Sequence, residues 1–297
     1  MRFHQAVAFL PTADLVALAV ASDELGFDGI YLSDHLFNPR DLRSRYTYST
    51  APDGSPPWPK ETEWPDPMTL IAYLAGRTGR LLFTTGIYVA PVRDLVTVAK
   101  SVGTAAVVSR GRVRLGVGSG WCEEEFDATG QDFHNRGRRL DEMIGALRAL
   151  SSGGWVEHHG TYYDIPPCQM NPSPPSPVPI YGGGGSDAAI KRATEHCDGW
   201  LTPGTRGPDA AMEQFREVRK ALERAGRGND PFDIYLAIQA PPDVDLYLRF
   251  EDAGVTDLIC APWMAARVDP SDTPEVRTAK RVEASERFAT EILAKMQ

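Results

Sequence analysis

Four short stretches of the chain carry residue types that can do chemistry, and each sits where an apolar run stops. The first is Ser33-Asp34-His35. A histidine beside an aspartate can donate a hydrogen bond to a ligand carbonyl or relay a proton, because imidazole changes charge near neutral pH. Capping a loop is the structural alternative. In the second, Thr84-Thr85-Gly86-Ile87, a glycine interrupts an otherwise apolar run. Either a bulge that admits a ligand or tight strand packing would call for it. The third, Gly116-Val117-Gly118-Ser119-Gly120-Trp121, has GxGxGW spacing rather than the GxGxxG of dinucleotide-binding turns. Its small residues let a planar ligand or a phosphate lie against backbone, and Trp121 supplies an aromatic wall. The fourth, Gly182-Gly183-Gly184-Gly185-Ser186-Asp187, opens onto a helical pattern that starts near Ala188. Free backbone N–H groups at a helix N-terminus attract phosphate. Ser186 either caps that helix or bonds a phosphate oxygen; Asp187 works against an anion but suits a first helical turn.

Holding four such stretches at one place requires a repeating scaffold. Eight short apolar, β-rich runs occur, at residues 6–10, 29–33, 81–89, 112–117, 178–181, 199–202, 232–238 and 256–261. Continuous apolar runs are what strands buried on both faces display. Amphipathic helices lie between them. Leu140, Met143, Ile144, Leu147 and Leu150 make a core-facing stripe, and Leu15, Leu18, Ala19 and Leu25 a weaker one closed by Gly26. The junctions Glu24-Leu25-Gly26-Phe27-Asp28-Gly29, Glu195-His196-Cys197-Asp198-Gly199 and Asp252-Ala253-Gly254-Val255-Thr256-Asp257 each end a helix and launch an apolar run. Eight βα units in series predict an α/β fold, a TIM (β/α)8 barrel over residues 1–297 as a single domain. A doubly wound open sheet is the main rival. In a barrel the functional residues sit at the strand ends, where all four stretches fall. Two insertions break the rhythm. Residues 38–67 follow the second strand and belong on the functional face, with Tyr48, Trp58 and Trp64 expected to order them as a lid. Residues 151–177 precede the fifth strand and read as an embellishment.

Composition narrows the partners. A chain of 297 residues with 42% hydrophobic content can bury a sizeable core. Its net charge of −9 disfavours nucleic acid and anionic membranes. No apolar run reaches the roughly 20 residues of a membrane span, and the N-terminus lacks a secretory signal. Cys122, Cys168, Cys197 and Cys260 lack the spacing of a metal site or disulfide framework. A cytoplasmic protein acting on a small molecule, with no metal, is the expectation.

The residues resemble the luciferase-like monooxygenase superfamily, particularly its branch using coenzyme F420, a deazaflavin. The resemblance runs from Phe3 to about Gly204. It is densest over Ser109-Arg110-Gly111-Arg112, residues 115–121, Glu125-Phe126, Gly130, Phe133, Arg136-Gly137 and Leu140-Asp141-Glu142. Gly26-Phe27-Asp28, Ser33-Asp34-His35 and Cys197-Asp198-Gly199-Trp200 are further landmarks. It implies an enzyme moving a hydride between the deazaflavin and a small organic substrate, with His35 handling the proton. Asp34 and His35 would lie at the cofactor ring. Gly86 and Ile87 would form a non-prolyl cis peptide behind it, and Gly86→Val would weaken cofactor binding more than the barrel. Gly118, Ser119, Gly120 and Trp121 would border the ring, and Gly183, Gly184, Gly185 and Ser186 would hold the phosphate. Arg136 would brace the loop after the fourth strand through a salt bridge. Relatives that oxidise glucose 6-phosphate carry a catalytic glutamate where this chain has Trp121, so that activity is not implied. Glu123, Glu124 and Glu125 follow, at least two of them read as helix-surface charge. The anionic tail of F420 would need offsetting charge, which Arg40, Arg43, Arg45, Lys60 and Arg206 offer. The alternatives are an FMN-dependent two-component monooxygenase and a non-catalytic flavin- or deazaflavin-binding protein. Relatives commonly form homodimers through outer helices.

Overall fold

In the computed structural model, which describes residues 1–204 and 207–296, eight parallel strands close into a barrel. These are β1 (Arg2–Ala6), β2 (Gly29–Leu32), β3 (Leu82–Thr85), β4 (Val113–Val117), β7 (Ile180–Gly183), β8 (Gly199–Leu201), β9 (Asp233–Ala237) and β10 (Asp257–Cys260). Pairing of Arg2 with Asp257 and of Phe3 with Leu258 closes the ring between β1 and β10. The outer layer comprises α1 (Thr12–Leu25), α2 (Pro67–Ala75), α3 (Leu95–Val108), α4 (Glu123–Thr129), α5 (Arg136–Leu150), α6 (Asp187–His196), α7 (Pro208–Arg224), α8 (Val244–Ala253) and α9 (Pro274–Phe288). Parallel strands each need such a crossover, which is why a (β/α) repeat buries both faces of its sheet. The stripe of α5 is fully buried, from Leu140 to Leu150. Gly26 and Gly254 end α1 and α8 at φ 97° and 101°, the left-handed backbone in which a Cβ is strained. Among the described residues no helix is long and apolar enough to cross a membrane.

The first and third strands differ from expectation. The first runs over Arg2–Ala6, and the apolar residues 7–10 form the loop after it. Its inward side chains are polar, so hydropathy hides it. The Arg2 guanidinium donates to Asp233 and Asp257, each at 2.8 Å, and His4 Nε2 lies 2.6 Å from Asp257 Oδ1. The third strand is also shorter than its apolar run. It stops at Thr85, and Tyr88 returns to pair with Val117.

Both insertions are ordered. Residues 38–67 carry no regular element before α2 and are held by side chains. Asn38 Nδ2 donates to the Thr62 carbonyl at 2.9 Å, and Trp64 Nε1 donates to Asn38 Oδ1 at 3.1 Å. The second insertion folds as an antiparallel hairpin of β5 (Val156–His159) and β6 (Asp164–Cys168), outside the barrel sheet. The Glu142 carboxylate on α5 pins it by accepting from the N–H groups of Thr161, Tyr162 and Tyr163 at 2.9–3.1 Å.

Candidate active site

A cavity of about 1000 Å³ opens at the C-terminal ends of the strands, where a barrel leaves its loops free to differ. Its floor is Ile87. The Gly86–Ile87 peptide is cis, as expected, and the Ile87 side chain is seated between two glycines. A Cβ at Gly118 would stand 2.4 Å from Ile87 Cδ1, and one at Gly183 would stand 2.2 Å from Ile87 Cγ2. Gly86 is packed harder still, since a Cβ there would lie 1.7 Å from the Tyr31 ring. Substitution at Gly86 would therefore displace Tyr31, which packs in the barrel interior and also borders the cavity.

His35 and Asp34 both border the cavity but are held differently. Arg93 grips the Asp34 carboxylate with two nitrogens, at 2.7 and 2.8 Å, and Val89 N–H donates to it at 2.9 Å. Asp34 thus ties the end of β2 to the turn after β3. The His35 ring is free of that pair. Its Nδ1 lies 3.2 Å from Oε1 of Glu125, a fully buried residue of α4, and the same oxygen accepts the Leu36 N–H at 2.5 Å.

The neighbouring Glu124 anchors the lid. It accepts from Arg43 N–H at 2.5 Å, Ser44 N–H at 3.1 Å and the Ser44 hydroxyl at 2.7 Å. Burial works to raise its pKa, but the Ser44 hydroxyl and the backbone donors outweigh this and bring it down to about 2. So held, the lid packs its rings against His35. Trp58, Trp64 and Trp121 lie with ring centroids 5.6, 4.9 and 5.5 Å from the imidazole, and Tyr46 stacks edge-on against Trp58 and Trp121.

Beyond this aromatic partition lies a second cavity of about 620 Å³, which Arg40, Arg43 and Lys60 border together with His35, Trp58 and Trp121. The cations are engaged there. Arg40 pairs with Asp41, Arg43 with Asp127 and Glu124, and Lys60 donates to the Arg40 carbonyl. Arg45 donates to the Pro52 carbonyl, and Arg206 lies outside the described residues.

On the other side, Gly183, Gly184 and Ser186 border the main cavity. The turn is less open than its glycines suggest. Gly184 N–H donates to the Leu201 carbonyl at 3.2 Å, and a Cβ on Gly184 would stand 3.5 Å from the Tyr48 hydroxyl of the lid. Ser186 caps α6, its Oγ accepting from Ala189 N–H at 3.3 Å.

The family model of luciferase-like monooxygenases matches residues 4–245. This chain belongs to that family. An uncharacterized protein of Mycobacterium tuberculosis is 34% identical over the whole of both chains. The F420-dependent glucose-6-phosphate dehydrogenase of Nakamurella multipartita is 28% identical over 81% of this chain and 67% of its own length. Among solved structures, the monooxygenase RslO1 of Streptomyces bottropensis superposes over 100% of both chains with a TM-score of 0.74 at 18% identity. The F420-dependent tetrahydromethanopterin reductase of Methanopyrus kandleri covers 100% of this chain and 99% of its own, with a TM-score of 0.69 at 15% identity. The luciferase-like family and its barrel are thereby shared, and an oxidoreductase is the class that the family supports.

In this luciferase-like chain, ten of the twelve positions singled out from sequence border the main cavity: Asp34, His35, Gly86, Ile87, Ser119, Gly120, Trp121, Gly183, Gly184 and Ser186. Gly118 and Gly185 do not. Gly118 is occupied in making room for Ile87, and a Cβ on Gly185 would meet Pro203 at 3.3 Å. Arg136 does brace the loop after β4, but by donating to the Gly120 carbonyl at 3.1 Å and lying over the Phe133 ring at 3.7 Å, not through a salt bridge. Sequence reasoning missed what Glu124 and Glu125 do, since only Glu123 fits the description of surface charge. A signal existed. Glu125 stands three residues after buried Cys122 and directly before buried Phe126, which turns it toward the inside of a helix. Arg93, the partner of Asp34, carried no local signal, because the turn after β3 brings it in from 59 residues away.

Proposed function

We propose that this chain is an F420-dependent oxidoreductase that moves a hydride between the deazaflavin and a small organic substrate, with His35 handling the accompanying proton. The observation that carries this reading is His35 itself, held by buried Glu125 on the wall of a cavity that the α6 N-terminus also adjoins. The residues fit such a cofactor. About 1000 Å³ is the volume of a site for a large small molecule, and Ile87, Tyr31, Val89 and Leu201 give it apolar walls for a ring. Ser186 and the first turn of α6 would receive the phosphate, and Trp121 would border the ring. When bound, a deazaflavin supplies the hydride donor or acceptor. The protein's own part is to orient, to exclude water with the aromatic lid, and to give or take a proton at His35 Nε2, the nitrogen that Glu125 leaves free. The similarity to an F420-dependent dehydrogenase over 81% of the chain supports this choice of cofactor.

FMN in a two-component monooxygenase is the second reading, and one observation favours it. Arg40 and Arg43, which would offset the F420 tail, are already paired with Asp41, Asp127 and Glu124. Titration of intrinsic tryptophan fluorescence separates the two. Tighter binding of F420 than of FMN, weakening as salt rises, is the expected result. Equal or tighter FMN binding without salt sensitivity for F420 would transfer the case to the monooxygenase. We carry a homodimer through the outer helices as part of the same proposal. Sedimentation giving the monomer mass alone would remove it.

A further inference from the structure

We propose that Glu125 is a positioning residue that sets the tautomer of His35, an inference that rests on the reading of His35 as the proton-handling group. An ionised carboxylate only accepts hydrogen bonds, so the imidazole nitrogen 3.2 Å from Glu125 Oε1 carries its proton toward Glu125. The neutral ring is then the Nδ1–H tautomer, with the Nε2 lone pair left for the cavity. A proton acceptor at a reacting centre needs that arrangement, and a ring turned the other way would present an N–H there instead.

The surroundings leave Glu125 without a rival. Asp34 adjoins His35 in sequence, yet both of its oxygens are taken by Arg93, and Oδ2 by Val89 N–H as well. The rings packed around the imidazole are indoles, which have donors and no acceptor; the Trp64 N–H is itself directed to Asn38. The Tyr46 ring packs edge-on against Trp58 and Trp121. Among the described residues, Glu125 is the carboxylate within hydrogen-bond distance of the ring. Because the same oxygen also accepts the Leu36 N–H, α4 fixes the ring and the backbone that follows it together. Carboxylate–histidine pairs orient the ring in this way in metal sites and in serine hydrolases.

The test reads the imidazole nitrogens of His35 by 15N NMR in the cofactor-free protein at a pH where the ring is neutral. The spectrum is assigned by its loss in His35→Ala. A protonated Nδ1 and an unprotonated Nε2 are expected in the wild type. In Glu125→Gln the amide oxygen can take the place of Oε1, so the tautomer is retained. In Glu125→Ala the preference is lost. An Nε2–H tautomer in the wild type would overturn the proposal, and so would a Glu125→Ala spectrum identical to the wild type. Should the alanine variant fail to fold, the wild type and the glutamine variant still decide it. The samples hold no cofactor, so this result stands or falls apart from the cofactor titration that tests the proposed function.

Discussion

At the scale of single residues, chemistry and packing divide cleanly around the cavity. If His35 moves the proton as proposed, His35→Ala should slow cofactor oxidation or reduction by about 100- to 10,000-fold, the usual worth of one positioned acid or base. The thermal midpoint should fall only slightly. Stopped-flow absorbance of the cofactor checks the first expectation and a melting curve the second; an unchanged rate would reduce His35 to a loop cap. Gly86 is the opposite case. Its missing Cβ is the space in which the Tyr31 ring lies, so Gly86→Ala forces that half-buried ring out of place. Overpacking of that kind costs about 1–3 kcal/mol, and denaturant unfolding should register it before any cofactor is added. Gly86 and Gly118 were legible in the sequence as places where a ligand could come close to backbone, and Gly183 was read as a phosphate contact. What approaches them was not, because Tyr31 and Ile87 arrive from another strand end and from the turn itself.

At the scale of elements, α4 is short but holds two things at once. Glu125 faces inward to His35, while Glu124 holds the lid through the Arg43 and Ser44 backbone and the Ser44 hydroxyl. Glu124→Ala removes all three acceptor contacts and should release that part of the lid with little effect on the barrel. Hydrogen exchange at the Arg43 and Ser44 amides should quicken, and limited proteolysis should cut near residues 43–48, while the melting midpoint shifts by only a few degrees. An unaltered exchange pattern would mean that the aromatic contacts suffice to seat the lid. Since the Glu124 carboxylate is held down to about pH 2, mild acid should not mimic the substitution. A lid after the second strand could be read from its Trp, Tyr and Pro content. Its anchor could not, because three consecutive glutamates resemble solvated helix surface until Cys122 and Phe126 are seen to be buried on either side.

At the scale of the whole molecule, the repeat of apolar run and amphipathic helix made the barrel legible, yet its closure was written in charge. Arg2, His4, Asp233 and Asp257 meet across the β1, β9 and β10 strands, and Tyr181 adds its hydroxyl to Asp233 at 2.6 Å. Such residues erase the hydropathy of the strand that carries them. Burial alone would raise the Asp257 pKa, but the hydrogen bonds from His4 and Arg2 outweigh it and hold the group below its ordinary value. A carboxylate depressed in this way stabilises the fold above the unfolded pKa of about 4, and that contribution is lost as pH falls through the folded value. Asp257→Asn should therefore cost about 1–3 kcal/mol near neutral pH, since buried His4 loses its carboxylate partner while half-exposed Arg2 keeps Asp233. The gap between variant and wild type should close in strong acid. Unfolding measured across the acid range checks both; a gap independent of pH would assign the loss to packing.

The crowding of Trp58, Trp64 and Trp121 around one imidazole has an optical consequence. Trp58 lies 5.4 Å from Trp64 and 6.3 Å from Trp121, with ring planes inclined at 79° and 68°. Indoles so close and so steeply inclined do not absorb independently. Their transitions mix, and circular dichroism should carry a pair of oppositely signed bands that no isolated tryptophan gives. Trp58 and Trp64 belong to the lid and Trp121 to the loop after β4, so the Trp58–Trp121 part of the signal depends on the seated lid while the Trp58–Trp64 part stays within it. A change in band shape on releasing the lid, as in Glu124→Ala, would report the seating of Trp58 against Trp121 without a label.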